Sequence, residues 1–127
     1  MGSQSHPKSF GAKPLVLIVE DDLFIAMALE DALVHAGFRV IGPARSVAMA
    51  MALLLNERPD VAVLDYNLLD DTVTTVAQKL SALGVPFILS SAREDEAFAD
   101  PVFANIENLG KPSSVTRMVE ALTALAA

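Results

Sequence analysis

The feature that most constrains the fold of this chain is a series of short, continuous apolar runs separated by segments with helical spacing. Four runs are rich in aliphatic and β-branched residues and a fifth is more polar; they cover residues 15–19, 38–41, 61–64, 87–89 and, for the polar one, 106–109. Apolar runs of this length are typical of strands that are buried on both faces, as in a parallel sheet. Their alternation with helical segments predicts an α/β fold, in which helices cover both faces of the sheet.

The first helix is predicted directly after the first strand. It begins at Asp22 as its N-cap and ends before Gly37. Four residues at helical spacing are predicted to face the sheet: Ile25, Leu29, Ala32 and Ala36.

Three more helices are predicted along the rest of the chain. The second follows Ser46 and ends near Pro59, and the third covers about residues 73–83. The last helix follows Ser113 or Ser114 and has three apolar residues on one face: Val115, Val119 and Leu122. Between residues 94 and 103 the helical pattern is poorer.

Length and composition exclude several classes of function. The 127 residues allow one domain, which we place at residues 15–127 after a flexible tail at residues 1–14. A net charge of −7 opposes binding to nucleic acid or to anionic membranes, and no apolar run approaches the roughly 20 residues that cross a bilayer. The chain has no cysteine, which excludes disulfides and thiolate metal sites and is consistent with the cytoplasm.

Polar side chains follow the predicted strands at the edge of the sheet where α/β proteins bind their ligands. They are carboxylates, hydroxyls and one ammonium group: Glu20, Asp21 and Asp22 after the first strand, Asp65 after the third, Ser90 and Ser91 after the fourth, and Lys111 after the fifth. Carboxylates that lie close together repel one another, and Mg²⁺ relieves this repulsion while leaving coordination positions for a phosphoryl group. The set therefore suits phosphoryl transfer onto a carboxylate, whereas Asp22 is interpreted as the helix cap.

These residues resemble the receiver domain of bacterial two-component response regulators, over about residues 15–125. The resemblance depends on four pieces in the family's order: the first apolar run with Glu20 and Asp21, the sequence Asp65-Tyr66-Asn67, the sequence Ser90-Ser91-Ala92, and Lys111-Pro112. It implies a flavodoxin-like, doubly wound sheet of five parallel strands in the order 2-1-3-4-5.

The resemblance also implies a role for each matching residue. Asp65 would accept the phosphoryl group, Ser91 would be the hydroxyl that moves onto it, and Lys111 would bridge that group and Asp65. Mg²⁺ would be bound by four residues: Asp21 directly, Glu20 largely through water, Asp65, and Asn67 through its backbone carbonyl.

The implied function is that of a stand-alone phosphoacceptor, which takes a phosphoryl group from a histidine kinase or a histidine phosphotransfer protein and acts through contacts with a downstream protein. Such a domain catalyses only its own phosphorylation and dephosphorylation. Two alternatives stay open. A small Mg²⁺-dependent phosphatase is disfavoured because Asn67 stands where a general acid would be needed, two residues after Asp65. A non-phosphorylated interaction module of the same fold is favoured by Asn108 and disfavoured by the acids and Lys111.

Three features depart from the family pattern. Asn108 stands three residues before Lys111, where the family usually has an aromatic residue. Pro101 interrupts a segment that is shorter than usual, and residues 68–72 replace the usual Pro and Gly of the loop after Asp65. We therefore expect phosphorylation to act mainly by reordering residues 91–103, with Asn108 a weak participant.

The second helix contains more large apolar side chains than one buried face requires: Met49, Met51, Leu53, Leu54 and Leu55. We expect some of this surface to remain exposed, for a partner or for self-association. The alternative is a broad, methionine-rich core contact.

Overall fold

The sheet has the parallel arrangement that the apolar runs predict. The computed structural model describes residues 13–91, 100–110 and 114–127. Four parallel strands lie in these residues, in the spatial order β2-β1-β3-β4. Their bounds are Leu15–Val19 for β1, Arg39–Ala44 for β2, Val61–Asp65 for β3 and Phe87–Ser90 for β4.

The prediction of a fifth strand at residues 106–109 is wrong for the described part of the chain. This segment does lie beside β4, but it forms a single parallel bridge between Asn108 and Leu89. The Leu89 N–H donates to the carbonyl of Glu107 at 2.9 Å, and the Leu89 carbonyl accepts from the Leu109 N–H at 3.0 Å. The backbone has positive φ at Asn105 (65°) and at Gly110 (78°), so the extended conformation of a strand is interrupted on both sides of the bridge.

Within the described ranges, four helices and one short 3₁₀ helix connect or follow the strands. Their bounds are Leu23–His35 for α1, Val47–Leu53 for α2, Thr74–Ala82 for α3, Val115–Ala126 for α4, and Pro101–Phe103 for the 3₁₀ helix. Asp22, Ser46 and Ser114 each accept a hydrogen bond from a backbone N–H of the first helical turn, which confirms Asp22 as the predicted N-cap and places the start of the last helix after Ser114. The α2 helix was predicted to end near Pro59, but it ends at Leu53 and is followed by a turn.

The core has two layers, one on each face of the sheet. The α1 and α4 helices pack on one face through Leu29, Leu33, Met118 and Leu122. The α2 and α3 helices and the 3₁₀ helix pack on the other face, where Phe103 lies fully buried. None of the helices in the described part of the chain combines the length and the apolar composition that crossing a bilayer requires.

The sheet-facing residues of α1 differ from the predicted set. Leu29 is buried as expected, but its buried neighbours are Ala26 and Leu33, while Ile25 and Ala32 are half-buried and Ala36 is exposed. Both sets have helical spacing, and α1 is apolar over most of its circumference. The pattern alone therefore left two faces open, and packing against the sheet selects between them.

The predictions for Lys111, Pro112, Ser113 and residues 1–12 and 92–99 concern residues outside those that the structure describes. Of the predicted tail, Lys13 and Pro14 are described. Both of their carbonyls accept hydrogen bonds from Arg39, so this stretch runs alongside the start of β2.

Candidate functional site

The register of the central strands brings three carboxylates together at the edge of the sheet. Val19 of β1 pairs with Leu64 of β3, so Glu20 and Asp65 are the residues that follow this pair, at the ends of two adjacent strands. Carboxylate oxygens of Glu20, Asp21 and Asp65 all lie within 4.8 Å of one another. Glu20 and Asp65 are only 4% and 6% exposed, and Asp21 is half-buried. These three residues form the acidic cluster.

Local hydrogen bonds hold the first part of the acidic cluster in place. The Glu20 backbone N–H donates to the carbonyl of Ala44 in β2 at 2.9 Å. The Glu20 carboxylate accepts from the Asp22 N–H at 3.0 Å, and the Asp22 carboxylate in turn accepts from the Ile25 N–H at 3.1 Å. Asp22 therefore caps α1, as predicted, and links the start of this helix to the acidic cluster.

The geometry of the acidic cluster fits a small divalent cation. Mg²⁺ binds oxygen at about 2.0 to 2.1 Å in an octahedron, which places opposite ligand atoms about 4.2 Å apart. The oxygens within 4.8 Å of one another are close to that spacing. Carboxylates are the protein ligands that Mg²⁺ prefers, and the half-buried Asp21 leaves one side of the cluster open to water or to a phosphoryl group.

Asn67 lies two residues beyond Asp65, at the start of an ordered loop. It is exposed and forms an antiparallel bridge with Thr72. The Val73 N–H closes the loop by donating to the carbonyl of Tyr66 at 2.8 Å. The backbone of Asn67 is thus held next to the acidic cluster, and its part in metal binding stays a prediction.

Asp70 connects the same loop to α2, a contact that sequence reasoning missed. Its carboxylate accepts hydrogen bonds from the backbone N–H groups of Val47 (2.8 Å) and Ala48 (3.2 Å). The Val47 N–H, followed by other backbone N–H groups, holds the pKa of Asp70 below its usual value. Asp70 therefore caps a helix that is distant in sequence.

Two buried serines follow the acidic cluster on the neighbouring strand. Ser90 is the register partner of Asp65, and its hydroxyl donates to the carbonyl of Gly110 at 3.4 Å. Ser91 is the first residue after β4, and it is equally buried. The predicted hydroxyl therefore lies one residue beyond the partner of Asp65, at the same edge of the sheet.

Asn108 bonds to both segments that carry predicted site residues. Its side-chain oxygen Oδ1 accepts from the Ser91 N–H at 3.0 Å and from the Gly110 N–H at 2.9 Å. Its Nδ2 is buried and has no hydrogen-bond partner in the described part of the chain. A sequence signal exists for one of these bonds, because an asparagine two residues before a glycine commonly accepts from that glycine's N–H in a turn. The bond to Ser91 spans distant segments and has no such signal.

An aromatic cluster lies beneath the same edge of the sheet. Tyr66, the residue after Asp65, packs edge-on against Phe103 with ring centroids 5.6 Å apart. Phe103 also packs edge-on against Phe87, at 6.5 Å. The 3₁₀ helix is thus anchored by a ring next to the predicted phosphoacceptor.

Exposed apolar side chains are found on both α1 and α2. On α2, Met49 is exposed, while Met51 and Leu53 pack partly against the core, and Leu55 is exposed in the turn after the helix. The larger exposed set is on α1, which the sequence reasoning did not single out: Leu23, Phe24, Met27 and Val34. Phe24 is 84% exposed in the first turn of α1, close in sequence to the acidic cluster.

Comparison with known sequences gives a consistent match. The family model for the response regulator receiver domain covers residues 16–123. Sensory transduction protein LytR of Staphylococcus haemolyticus is 30% identical over 109 residues, which are 84% of this chain and 43% of that protein. Chemotaxis protein CheY of Bacillus subtilis is 26% identical over 111 residues, which are 84% of this chain and 92% of that protein.

Solved structures with the same fold include the non-phosphorylated HemR receiver domain from Leptospira biflexa. The TM-score is 0.78 at 24% identity, and the match covers 91% of this chain and 95% of that one. The receiver domain of the PhyR response regulator from Erythrobacter litoralis gives a TM-score of 0.76 at 24% identity, covering 90% of both chains. These likenesses establish the fold.

Proposed function

Because the chain belongs to the response regulator receiver domain family of two-component signal transduction, we propose that it takes a phosphoryl group on Asp65 from a phosphohistidine donor protein. The observation that carries this proposal is the acidic cluster, in which buried Asp65 lies with Glu20 and Asp21 at the carboxyl edge of the sheet. Glu20, Asp21, Asp65 and the Asn67 carbonyl are the proposed ligands of Mg²⁺. The bound ion supplies positive charge to the phosphoryl oxygens.

In the proposed transfer, a carboxylate oxygen of Asp65 attacks the phosphorus atom of the donor's phosphohistidine. The phosphorus–oxygen bond forms as the phosphorus–nitrogen bond breaks, and the electron pair of that bond stays on the imidazole nitrogen. Ser91 donates its hydroxyl hydrogen to a phosphoryl oxygen, and the Lys111 ammonium compensates the added negative charge. In dephosphorylation, water attacks phosphorus, the bond to Asp65 breaks, and the carboxylate and inorganic phosphate are released.

The donor and the downstream partner are proposed to be proteins that dock on the surface around the acidic cluster. A protein that brings phosphohistidine to Asp65 must approach the first turn of α1, where Leu23 and Phe24 are exposed. Apolar side chains at this place offer contact area to such a partner. Phe24→Ala should therefore slow transfer from a phosphorylated histidine phosphotransfer protein and leave phosphorylation by acetyl phosphate unchanged. An equal effect on both donors would contradict this docking surface.

Mass spectrometry of the intact protein tests the function directly. After incubation with acetyl phosphate and Mg²⁺, the wild type should gain the mass of one phosphoryl group, and Asp65→Asn should gain none. Asp31→Asn, which removes an exposed carboxylate on α1, is the matched control and should label like the wild type. An unlabelled wild type would favour the non-phosphorylated interaction module. Sustained release of phosphate over many turnovers would favour the phosphatase.

A further inference from the structure

The side chain of Asn108 adds a link between two backbone segments that otherwise meet at the bridge to Leu89 and through the 3.4 Å hydrogen bond from the Ser90 hydroxyl to the Gly110 carbonyl. The β4 strand ends at Ser90, and the segment around Asn108 touches it at the single bridge to Leu89. The N–H groups of Ser91 and Gly110 both lie beyond this bridge. One oxygen, Asn108 Oδ1, accepts from both of them, at 3.0 and 2.9 Å.

The two residues held in this way stand next to proposed site groups. Ser91 itself carries the hydroxyl that is proposed to bond to the phosphoryl group. Gly110 directly precedes Lys111 in the sequence. The two hydrogen bonds to the amide oxygen extend the contact between these segments beyond the bridge at Leu89, and they set the position of the Ser91 backbone relative to Gly110. Hydrogen bonds weaken steeply with distance and angle, so the two bonds to Asn108 Oδ1 constrain the positions of the N–H groups that they join.

We propose that Asn108 is a positioning residue for phosphoryl transfer, which acts by holding the backbone of Ser91 and Gly110 through its side-chain oxygen. This inference rests on the proposed function of Asp65 and adds to it the residue that sets the place of the hydroxyl. The proposal gives Asn108 a larger part than the expectation from sequence, and the two hydrogen bonds to its oxygen are the reason. A leucine of similar size fills the same space but accepts no hydrogen bond, whereas an aspartate keeps the accepting oxygen.

The buried Nδ2 of Asn108 supports a role beyond packing. Buried amide nitrogens without a partner are rare, and each one calls for an explanation. In the described part of the chain, the oxygen of this amide is doubly used while the nitrogen is unused. The orientation of the side chain is therefore determined by the two N–H groups that the oxygen accepts from.

The test compares Asn108→Leu, Asn108→Ala and Asn108→Asp with the wild type in two measurements. The first is the rate of phosphorylation by acetyl phosphate at saturating Mg²⁺, followed by mass spectrometry, and the second is the dissociation constant for Mg²⁺ alone, from calorimetry. We expect Asn108→Leu to lower the rate about tenfold while the Mg²⁺ dissociation constant changes less than about twofold. Asn108→Asp should recover the rate to within about threefold of the wild type, because it accepts from the same two N–H groups.

Asn56→Leu is the matched control, since Asn56 is an exposed asparagine in the turn after α2, and it should behave as the wild type. A wild-type rate in Asn108→Leu would overturn the inference, and so would a parallel loss of rate and Mg²⁺ affinity. If the leucine variant does not fold, Asn108→Ala and Asn108→Asp decide, and equal rates in these two would overturn it. A wild type that accepts no phosphoryl group would refute the proposed function itself. A wild type that is phosphorylated, at the same rate as Asn108→Leu, would refute only the inference about Asn108.

Discussion

Neutralising Asp21 should stabilise the metal-free protein, because it removes the repulsion that this carboxylate has with Glu20 and Asp65. Two unit charges at the 4.8 Å limit of the acidic cluster repel by about 3.5 kcal/mol at an effective dielectric constant of 20, and by about 0.9 kcal/mol in water. Asp21 is half-buried, so each pair lies between these limits. Allowing for solvent screening, we expect Asp21→Asn to raise the free energy of unfolding by about 1 to 3 kcal/mol.

The same substitution should abolish the response of the protein to Mg²⁺. A ligand that binds only the folded state adds about 2.7 kcal/mol at 100 times its dissociation constant. For a domain of this size, 1 kcal/mol corresponds to a shift of roughly 4 °C in the melting temperature. The wild type should therefore melt roughly 10 °C higher at such a Mg²⁺ concentration than in EDTA. Asp21→Asn should melt at nearly one temperature in both.

Thermal unfolding followed by far-ultraviolet circular dichroism measures both effects. Asp22→Asn is the matched control, since it removes the neighbouring charge while its amide oxygen still caps α1. This variant should keep the full response to Mg²⁺. A metal-free Asp21→Asn protein that is less stable than the wild type would refute the repulsion argument, and an undiminished Mg²⁺ shift would place the ion elsewhere.

Three further substitutions test the packing around the site. Phe103→Ala should cost about 3 to 5 kcal/mol of stability in denaturant unfolding, because the ring is fully buried against Tyr66, and a loss below about 1 kcal/mol would contradict that packing. Asp70→Ala should lower the free energy of unfolding at neutral pH, because a carboxylate whose pKa is lowered in the folded state stabilises the protein at pH values above its usual pKa of 3.8. This difference should vanish as the pH falls through the folded-state pKa, and a pH-independent difference would refute the cap on Val47. Gly42→Ala should cost more than about 1 kcal/mol, because φ is +91° there and a Cβ atom would come within 2.7 Å of a backbone oxygen; an unchanged melting temperature would argue against this conformation.

The parts of the fold that could be predicted from sequence are those that local chemistry determines. Buried strands appear as apolar runs because both of their faces are covered, and caps appear as Asp22, Ser46 and Ser114 because the accepting side chain is close in sequence to its donor. The buried face of α1 was missed because the helix is apolar nearly all round. The fifth strand was predicted wrongly, because residues 106–109 form only a single bridge to β4 and the backbone on both sides of it, at Asn105 and Gly110, has positive φ.

The candidate site shows the same division between features that sequence predicts and features that it does not. The acidic cluster was predictable, since the carboxyl ends of parallel strands meet at one edge whatever the exact register. The hydrogen bonds that Asp70 accepts from α2, and that Asn108 accepts from Ser91, join residues that are far apart in the chain. Their geometry depends on how the loops pack, and the residue types alone allow many other partners. Sequence therefore predicted the three acids that gather at the edge and missed the contacts that Asp70 and Asn108 make beside them.

Asn108 stands where the family usually has an aromatic residue, and its contacts are polar instead of apolar but similar in energy. Burying one large apolar side chain contributes about 1.5 to 3 kcal/mol, and two hydrogen bonds of about 0.5 to 1.5 kcal/mol each give a similar sum. The two kinds of contact differ in how their energy depends on distance. Apolar contact declines gradually as the area decreases, whereas the bond from Ser91 to Asn108 at 3.0 Å is lost once its length passes about 3.6 Å. A displacement of the Ser91 N–H by less than one ångström would therefore break this bond, so Asn108 constrains the position of Ser91 more tightly than an apolar contact would.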